Sequence, residues 1–117
     1  MAVYQDKAKD RVRTTLPKMR RIIDRGIENN IKEADTRQVV TRVVSDMLGW
    51  DEFDNLTAEQ AISGGFADFV IQKENSKNEM EKLAVIEVKS LGTKLNENHL
   101  RQARGYAMDE GIEFILL

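Results

Sequence analysis

Two short apolar runs, each interrupted by charge, most constrain how this 117-residue chain can fold. Residues 67–71 contain Asp68, and residues 85–90 contain Glu87 and Lys89. Because side chains alternate between the two faces of a β-strand, Glu87 and Lys89 are predicted to share one face while their apolar neighbours enter a core. Charges beside a buried strand are costly to desolvate. The pattern therefore indicates two strands that bring a charged cluster together.

Composition limits the chemistry that this cluster can perform. The chain is 41% apolar and 32% charged, as expected for one ordinary globular domain. It has no cysteine and one histidine, which excludes disulfides, thiolate zinc sites and histidine-rich metal sites. Any metal must therefore bind through oxygen ligands. No apolar run is long enough to span a membrane, so we expect a cytoplasmic protein without a membrane partner.

The periodicity predicts an α/β protein of the mixed-sheet α+β type, with helices flanking a central sheet. Pro17 lies inside the first helical pattern, where it either kinks one helix or begins a second. Gly49 is a predicted helix stop, and Gly64-Gly65 is a predicted turn between the first two strands. The predicted helices cover 4–25, 34–48 and a segment from Asn96 or Asn98 to about 109, and the predicted strands cover 57–62, 66–73, 83–90 and 113–117 with a hairpin loop at 74–82.

Charge is distributed unevenly along the chain. Residues 1–37 contain ten Lys or Arg against six acids, a balance of +4, whereas the remainder carries −6. A basic amino-terminal helix could contact phosphates. A solvated helix face of mixed charge explains the same composition equally well.

The charged cluster suits a hard divalent cation. Asp68 and Glu87 can supply two carboxylates and the carbonyl of Val88 a third oxygen, a donor set that Mg²⁺ accepts. Lys89 could orient an attacking water and stabilise charge on a phosphate. These residues predict metal-dependent cleavage of a phosphodiester. A purely structural Glu87–Lys89 ion pair at a sheet edge is the alternative.

Other polar residues could join this site. Gln102 and Tyr106 are spaced i, i+4 and share a helix face, where they could bond a phosphate or the carboxylates. A Tyr at the core edge beside a solvent-exposed Gln is the simpler interpretation. Glu33 is either an acid that favours a helix amino terminus or a further acid directed at the metal. His99 is interpreted as a capping or surface residue.

The order of these residues resembles the PD-(D/E)xK nuclease superfamily, in the form that carries an additional Gln-x-x-x-Tyr element. Longer segments resemble the N-terminal nuclease domain of type I restriction enzyme R subunits, and within that group the predicted type IV restriction endonucleases. The resemblance covers roughly residues 5–117. It rests on Glu33, Gly65-x-x-Asp68, Glu87-x-Lys89 and Gln102-x-x-x-Tyr106, and on the sequences at 33–36, 48–51, 67–69, 86–89 and 97–103.

The resemblance implies a restriction-endonuclease-like core and a Mg²⁺-dependent DNA endonuclease, a hydrolase of the restriction-modification type, with Mn²⁺ as a substitute metal. Asp68 and Glu87 would be metal ligands and Lys89 the catalytic lysine. Glu33 would be the acid on the first core helix, with Gln102 and Tyr106 lining the site.

The partners implied are DNA, a second copy of the chain for cleavage of both strands, and helicase or specificity subunits or domains. We expect residues 1–117 to form a single nuclease-like domain, with truncation at the carboxyl terminus as an alternative because the chain ends on a strand.

Two other classes of function stay open. A non-catalytic DNA- or protein-binding module of the same fold would need other domains for activity. A small interaction domain with an accidental motif would place Asp68 and Glu87 far apart.

Overall fold

The computed structural model describes residues 2–62 and 65–117 of the chain. The described residues form three α-helices, one π-helical segment and a four-stranded mixed sheet, which confirms the predicted α+β class. The restriction-endonuclease-like core stays a prediction. The elements are α1 (Ala2–Glu28), α2 (Glu33–Arg42), the π-helical segment (Val43–Met47), β1 (Leu56–Ile62), β2 (Gly65–Glu74), β3 (Met80–Ile86), α3 (Glu97–Glu110) and β4 (Phe114–Leu116).

The elements group into two compact units. One takes the described residues up to Trp50 together with Ser90–Thr93, and holds α1, α2 and the π-helical segment. The other takes the described residues of Asp51–Lys89 together with Lys94–Leu117, and holds the sheet and α3. None of the described helices combines the length and apolar composition that a bilayer crossing requires.

In the first unit, α1 runs through Pro17 as one helix of 27 residues, so the alternative of a second helix beginning there is wrong. Proline removes the bond to the carbonyl four residues earlier, here that of Arg13. Both residues are exposed, so water can satisfy this carbonyl. The opposite side of α1 is buried at Met19 and Gly26.

The predicted second helix is helical throughout but changes type. After α2 the backbone continues as the π-helical segment, whose carboxyl end turns at Gly49 with φ +85°. Arg11 of α1 donates from Nε to the carbonyl of Met47 and from Nη2 to that of Leu48, both at 3.1 Å. These bonds satisfy carbonyls that a helix end leaves without partners. A side chain at Gly49 would approach the Arg11 guanidinium to 2.6 Å, so the predicted helix stop also leaves room for this contact.

We expect Arg11→Gln to lower the free energy of unfolding by about 1 to 3 kcal/mol, because two carbonyls at the helix end lose a charged donor. Arg13→Gln is the matched control, since the Arg13 side chain is 79% exposed and makes one long ion pair with Asp10 at 3.8 Å. Urea unfolding followed by circular dichroism measures both. Equal stability of the two variants would contradict the capping role of Arg11.

In the second unit, the strands lie in the order β1-β2-β3-β4. The pairs β1–β2 and β2–β3 are antiparallel, and β3–β4 is parallel, as a mixed sheet requires. The hairpin loop is shorter than predicted because Asn75 Oδ1 accepts bonds from the N–H groups of Lys77 and Glu79, and Asn78 adopts φ +59°. The predicted Gly64-Gly65 turn lies partly outside the described residues.

One face of the sheet packs against α3. Val70 and Val85, paired across β2 and β3, share a buried cluster with Ala107 of α3 and with Ile112. Asn96 caps α3 by accepting from the N–H groups of Asn98 and His99, and His99 Nδ1 accepts from the N–H of Asn96. This capping box confirms the role expected for His99. Gly111 ends the helix at φ +67°.

Candidate active site

The sheet register brings Asp68 and Glu87 together. Phe69 pairs with Ile86 and Val70 with Val85, so one further step in the same register sets Asp68 opposite Glu87. Because side chains alternate, both carboxyl groups lie on the face of Val70 and Val85, which packs against α3. This placement contradicts the accidental motif, which required the two acids to be far apart.

A side-chain hydrogen bond ends the β2–β3 ladder at this point. The N–H of Val88 donates to Oδ2 of Asp68 at 2.8 Å, while the N–H of Glu87 donates to the carbonyl of Leu116 in β4 at 3.0 Å. A carboxylate thus replaces the backbone acceptor that another residue of β2 would supply. The predicted strand over 83–90 is therefore wrong at its end, because β3 stops at Ile86 and Lys89 follows it outside the strand.

Glu87 is a buried acid without a full set of partners. Its side chain is 5% exposed, and Oε1 has no hydrogen-bond partner among the described residues. The pKa of Glu87 is raised from 4.5 to about 7, mainly by burial. The charge of Asp68 and a hydrogen bond with its side chain add to the rise, whereas the charge of Lys89 and a backbone bond from Asp68 oppose it. A buried oxygen of this kind favours either a proton or a cation beside it.

Lys89 follows Glu87 by two residues and places a positive charge close enough to act on it. Its side chain is half-buried, and its charge opposes the rise in the pKa of Glu87. Burial of the apolar neighbours Ile86 and Val88, at 5% and 3% exposure, confirms that these residues enter the core. The structure therefore brings together Asp68, Glu87 and Lys89 from the predicted set.

Gln102 and Tyr106 pair with each other on α3. Gln102 Nε2 donates to Tyr106 Oη at 3.0 Å, which confirms that they share a helix face. Tyr106 packs against the buried cluster and Gln102 is exposed, as the simpler interpretation expected. Their contact with a phosphate stays a prediction.

Glu33 is the first residue of α2, in the unit that does not contain the sheet. Its side chain is 47% exposed and forms an ion pair with Arg37, one turn later, at 3.6 Å. An acid at this position interacts favourably with the helix dipole. Its role as a catalytic acid stays a prediction.

The donor set fits a magnesium ion bound mainly by water and substrate. The described residues contain no group of three or more His, Cys, Asp or Glu side chains placed to hold a metal. Two carboxylates suffice for Mg²⁺, which keeps several waters and uses phosphate oxygens for the rest. The unpartnered Oε1 of Glu87 beside Asp68 is the observation that fits such an ion. Val88 as a carbonyl ligand stays a prediction.

The hydrogen bond from Val88 to Asp68 is the feature of this site that the sequence did not predict. Only the register of β2 against β3 could have revealed this bond, because the register places the N–H of Val88 beside the carboxylate of Asp68. Comparisons with family models, with curated proteins and with solved structures found no match to the chain. The resemblance to nucleases therefore rests on the motifs alone.

The pKa of Glu87 predicts how stability changes with pH. Because the folded chain holds this proton up to about pH 7 and the unfolded chain only to about 4.5, stability falls as pH rises between these values. The loss is about 3 kcal/mol. We expect Glu87→Gln to remove this pH-dependent loss, so that the free energy of unfolding of the variant rises relative to that of the native chain as pH rises to 8.

Glu81→Gln is the matched control, since Glu81 is exposed on the same strand. Urea unfolding at pH 4.5, 6 and 8 measures all three proteins. A constant stability difference between Glu87→Gln and the native chain across this range would contradict the raised pKa.

Proposed function

We propose that the protein is a Mg²⁺-dependent endonuclease that hydrolyses phosphodiester bonds of DNA. The observation that carries the proposal is the buried Glu87 opposite Asp68, with one carboxylate oxygen left without a hydrogen-bond partner in the described chain. Burying two acids together destabilises a fold unless a proton or cation compensates. A site that binds a divalent cation explains why both acids are present.

Asp68 and Glu87 would hold the metal. When bound, Mg²⁺ would polarise the phosphate and lower the pKa of a coordinated water. The N–H of Val88 donates to one oxygen of Asp68 and so fixes the orientation of this carboxyl group. The pair therefore offers an oriented carboxyl group beside a second carboxyl group, that of Glu87, which a cation would deprotonate.

Lys89 would act on the phosphate. Lys89 is half-buried, so its charge is screened less than that of a fully exposed lysine. It can neutralise the charge that develops on the phosphate oxygens during attack and donate a hydrogen bond to them. Lys89 is therefore the catalytic residue whose loss should slow cleavage without removing the metal ligands.

The remaining residues and partners belong to the same proposal. Gln102 and Tyr106 would line the DNA path from α3, and Glu33 would be an additional acid. Mn²⁺ would replace Mg²⁺. Cleavage of both strands would use a homodimer in the cytoplasm, and helicase or specificity subunits would direct it to its DNA sites.

A plasmid nicking assay with Mg²⁺ tests the activity. We expect the native chain to convert supercoiled plasmid to open-circular and linear forms, and Asp68→Asn and Glu87→Gln to abolish conversion. Lys89→Gln should slow it on the order of 100-fold, because one group that stabilises the transition-state charge is lost. EDTA should stop the reaction of the native chain.

Matched controls separate these effects from general loss of charge. Asp109→Asn, Glu81→Gln and Lys73→Gln change exposed residues of the same types and should cleave at the native rate. Cleavage that survives in Asp68→Asn and Glu87→Gln would contradict the proposed site. DNA binding by the native chain without any cleavage would favour the non-catalytic module instead.

A further inference from the structure

Helix α1 carries an excess of positive charge that the proposed active site does not use. It holds eight Lys or Arg against four acids, and its stretch from residue 11 to 23 contains five cations and no acid. One of these five, Arg11, is occupied at the end of the π-helical segment. The remaining cations of the helix are exposed.

Four of these cations form one face. At about 100° per residue, the spacings of 11, 3 and 4 residues place Lys7, Lys18, Arg21 and Arg25 within an arc of about 60°. Thr14 lies in the same arc. We call these five residues the α1 cationic face. It lies well away from the buried side of the helix at Met19.

The cations of this face are not paired with the acids that lie near them on α1, in the part of the chain that the structure describes. None of its four cations forms an ion pair or a side-chain hydrogen bond there, although Asp24 and Glu28 lie three residues beyond Arg21 and Arg25. Like charges one turn apart, as in Arg21 and Arg25, destabilise a helix by about 0.2 to 0.5 kcal/mol per pair. An anionic partner would offset this cost.

We propose that the α1 cationic face binds the phosphate backbone of double-stranded DNA. The inference rests on the proposed function, because that function names DNA as the substrate. Along the helix the face spans about 27 Å, from Lys7 to Arg25 at 1.5 Å per residue. A rigid duplex presents about eight phosphates of one strand over such a length.

The residue types on this face favour duplex DNA over other polyanions. Between Lys7 and Arg25 the arc holds only Lys, Arg and Thr, all of which contact phosphates without reading bases. It contains no aromatic side chain on which unpaired bases could stack. It also lacks the Trp and Tyr anchors that are enriched in protein interfaces. Sequence-independent contact with a backbone is the interaction that remains.

The test measures how DNA binding depends on salt. The triple variant Lys18→Gln, Arg21→Gln, Arg25→Gln is compared with the native chain, using a fluorescent 30-base-pair duplex, EDTA to prevent cleavage, and salt from 50 to 200 mM. Each lost phosphate contact lowers the slope of log affinity against log salt by about 0.9. We therefore expect a slope lower by about 2 to 3 and an affinity at least tenfold weaker at 50 mM salt.

The matched control is Lys73→Gln, Lys77→Gln, Lys94→Gln, which removes three exposed charges from the other unit. It should keep the native slope, and thermal unfolding should show that both triple variants fold. An equal slope for the two variants, or no salt-dependent binding by the native chain, would overturn the proposal. Competition by poly-glutamate as strong as that of duplex DNA would overturn it in favour of an acidic protein partner.

Because EDTA prevents cleavage, this result does not depend on catalysis. If the cationic-face variant loses DNA binding while neither the native chain nor any variant nicks plasmid, the inference is supported and the proposed nuclease is contradicted. Cleavage that is lost only in Asp68→Asn and Glu87→Gln, with unchanged DNA binding by the cationic-face variant, would support the proposed nuclease and contradict DNA binding by the α1 cationic face.

Discussion

The hydrogen bond from the Val88 N–H to the Asp68 carboxylate is the contact on which the candidate site depends. It ends the β2–β3 ladder, fixes the orientation of Asp68 and leaves Glu87 opposite it in a buried position. The bond gives one oxygen of the half-buried Asp68 a donor beside the buried Glu87, and so lowers the cost of desolvating this pair of acids. The backbone just after β3, at Val88, thus stabilises the acid Asp68 of β2.

This contact also explains why the site is polar within an apolar sheet. The α3 face of the sheet is apolar at Val70 and Val85 and becomes acidic one step later, at Asp68 and Glu87. The change occurs where pairing between the strands gives way to a side-chain acceptor. The two acids therefore lie at the end of rigid strands, which hold side chains more precisely than loops do.

Hydrophobic period predicted most elements of the fold, because helices and strands bury residues at spacings that a single sequence displays. The start of α3 was predicted as Asn96 or Asn98, because a cap is a local feature, and the structure shows the capping box at Asn96 with His99 three residues later. Contacts between distant residues were not predictable. The bond from Arg11 to the carbonyls of Met47 and Leu48 joins residues 36 and 37 positions apart, and no local pattern encodes it.

The same distinction applies to the candidate site. The motif around Glu87 and Lys89 identified the candidate residues, but only the register across the sheet placed Glu87 opposite Asp68. The end of β3 was predicted four residues too late because apolar residues continue to Val88 while the ladder does not. The unpartnered Oε1 of Glu87 is a three-dimensional property that residue identity could not reveal.

Binding of Mn²⁺ to the folded chain, followed by electron paramagnetic resonance, tests the central claim most directly, because the signal of the free ion falls as the site fills. The account predicts one ion per chain, with its binding lost in Asp68→Asn and in Glu87→Gln and retained in Glu81→Gln. Equal binding by all four proteins, or no binding by the native chain, would contradict the claim that Asp68 and Glu87 form a metal site.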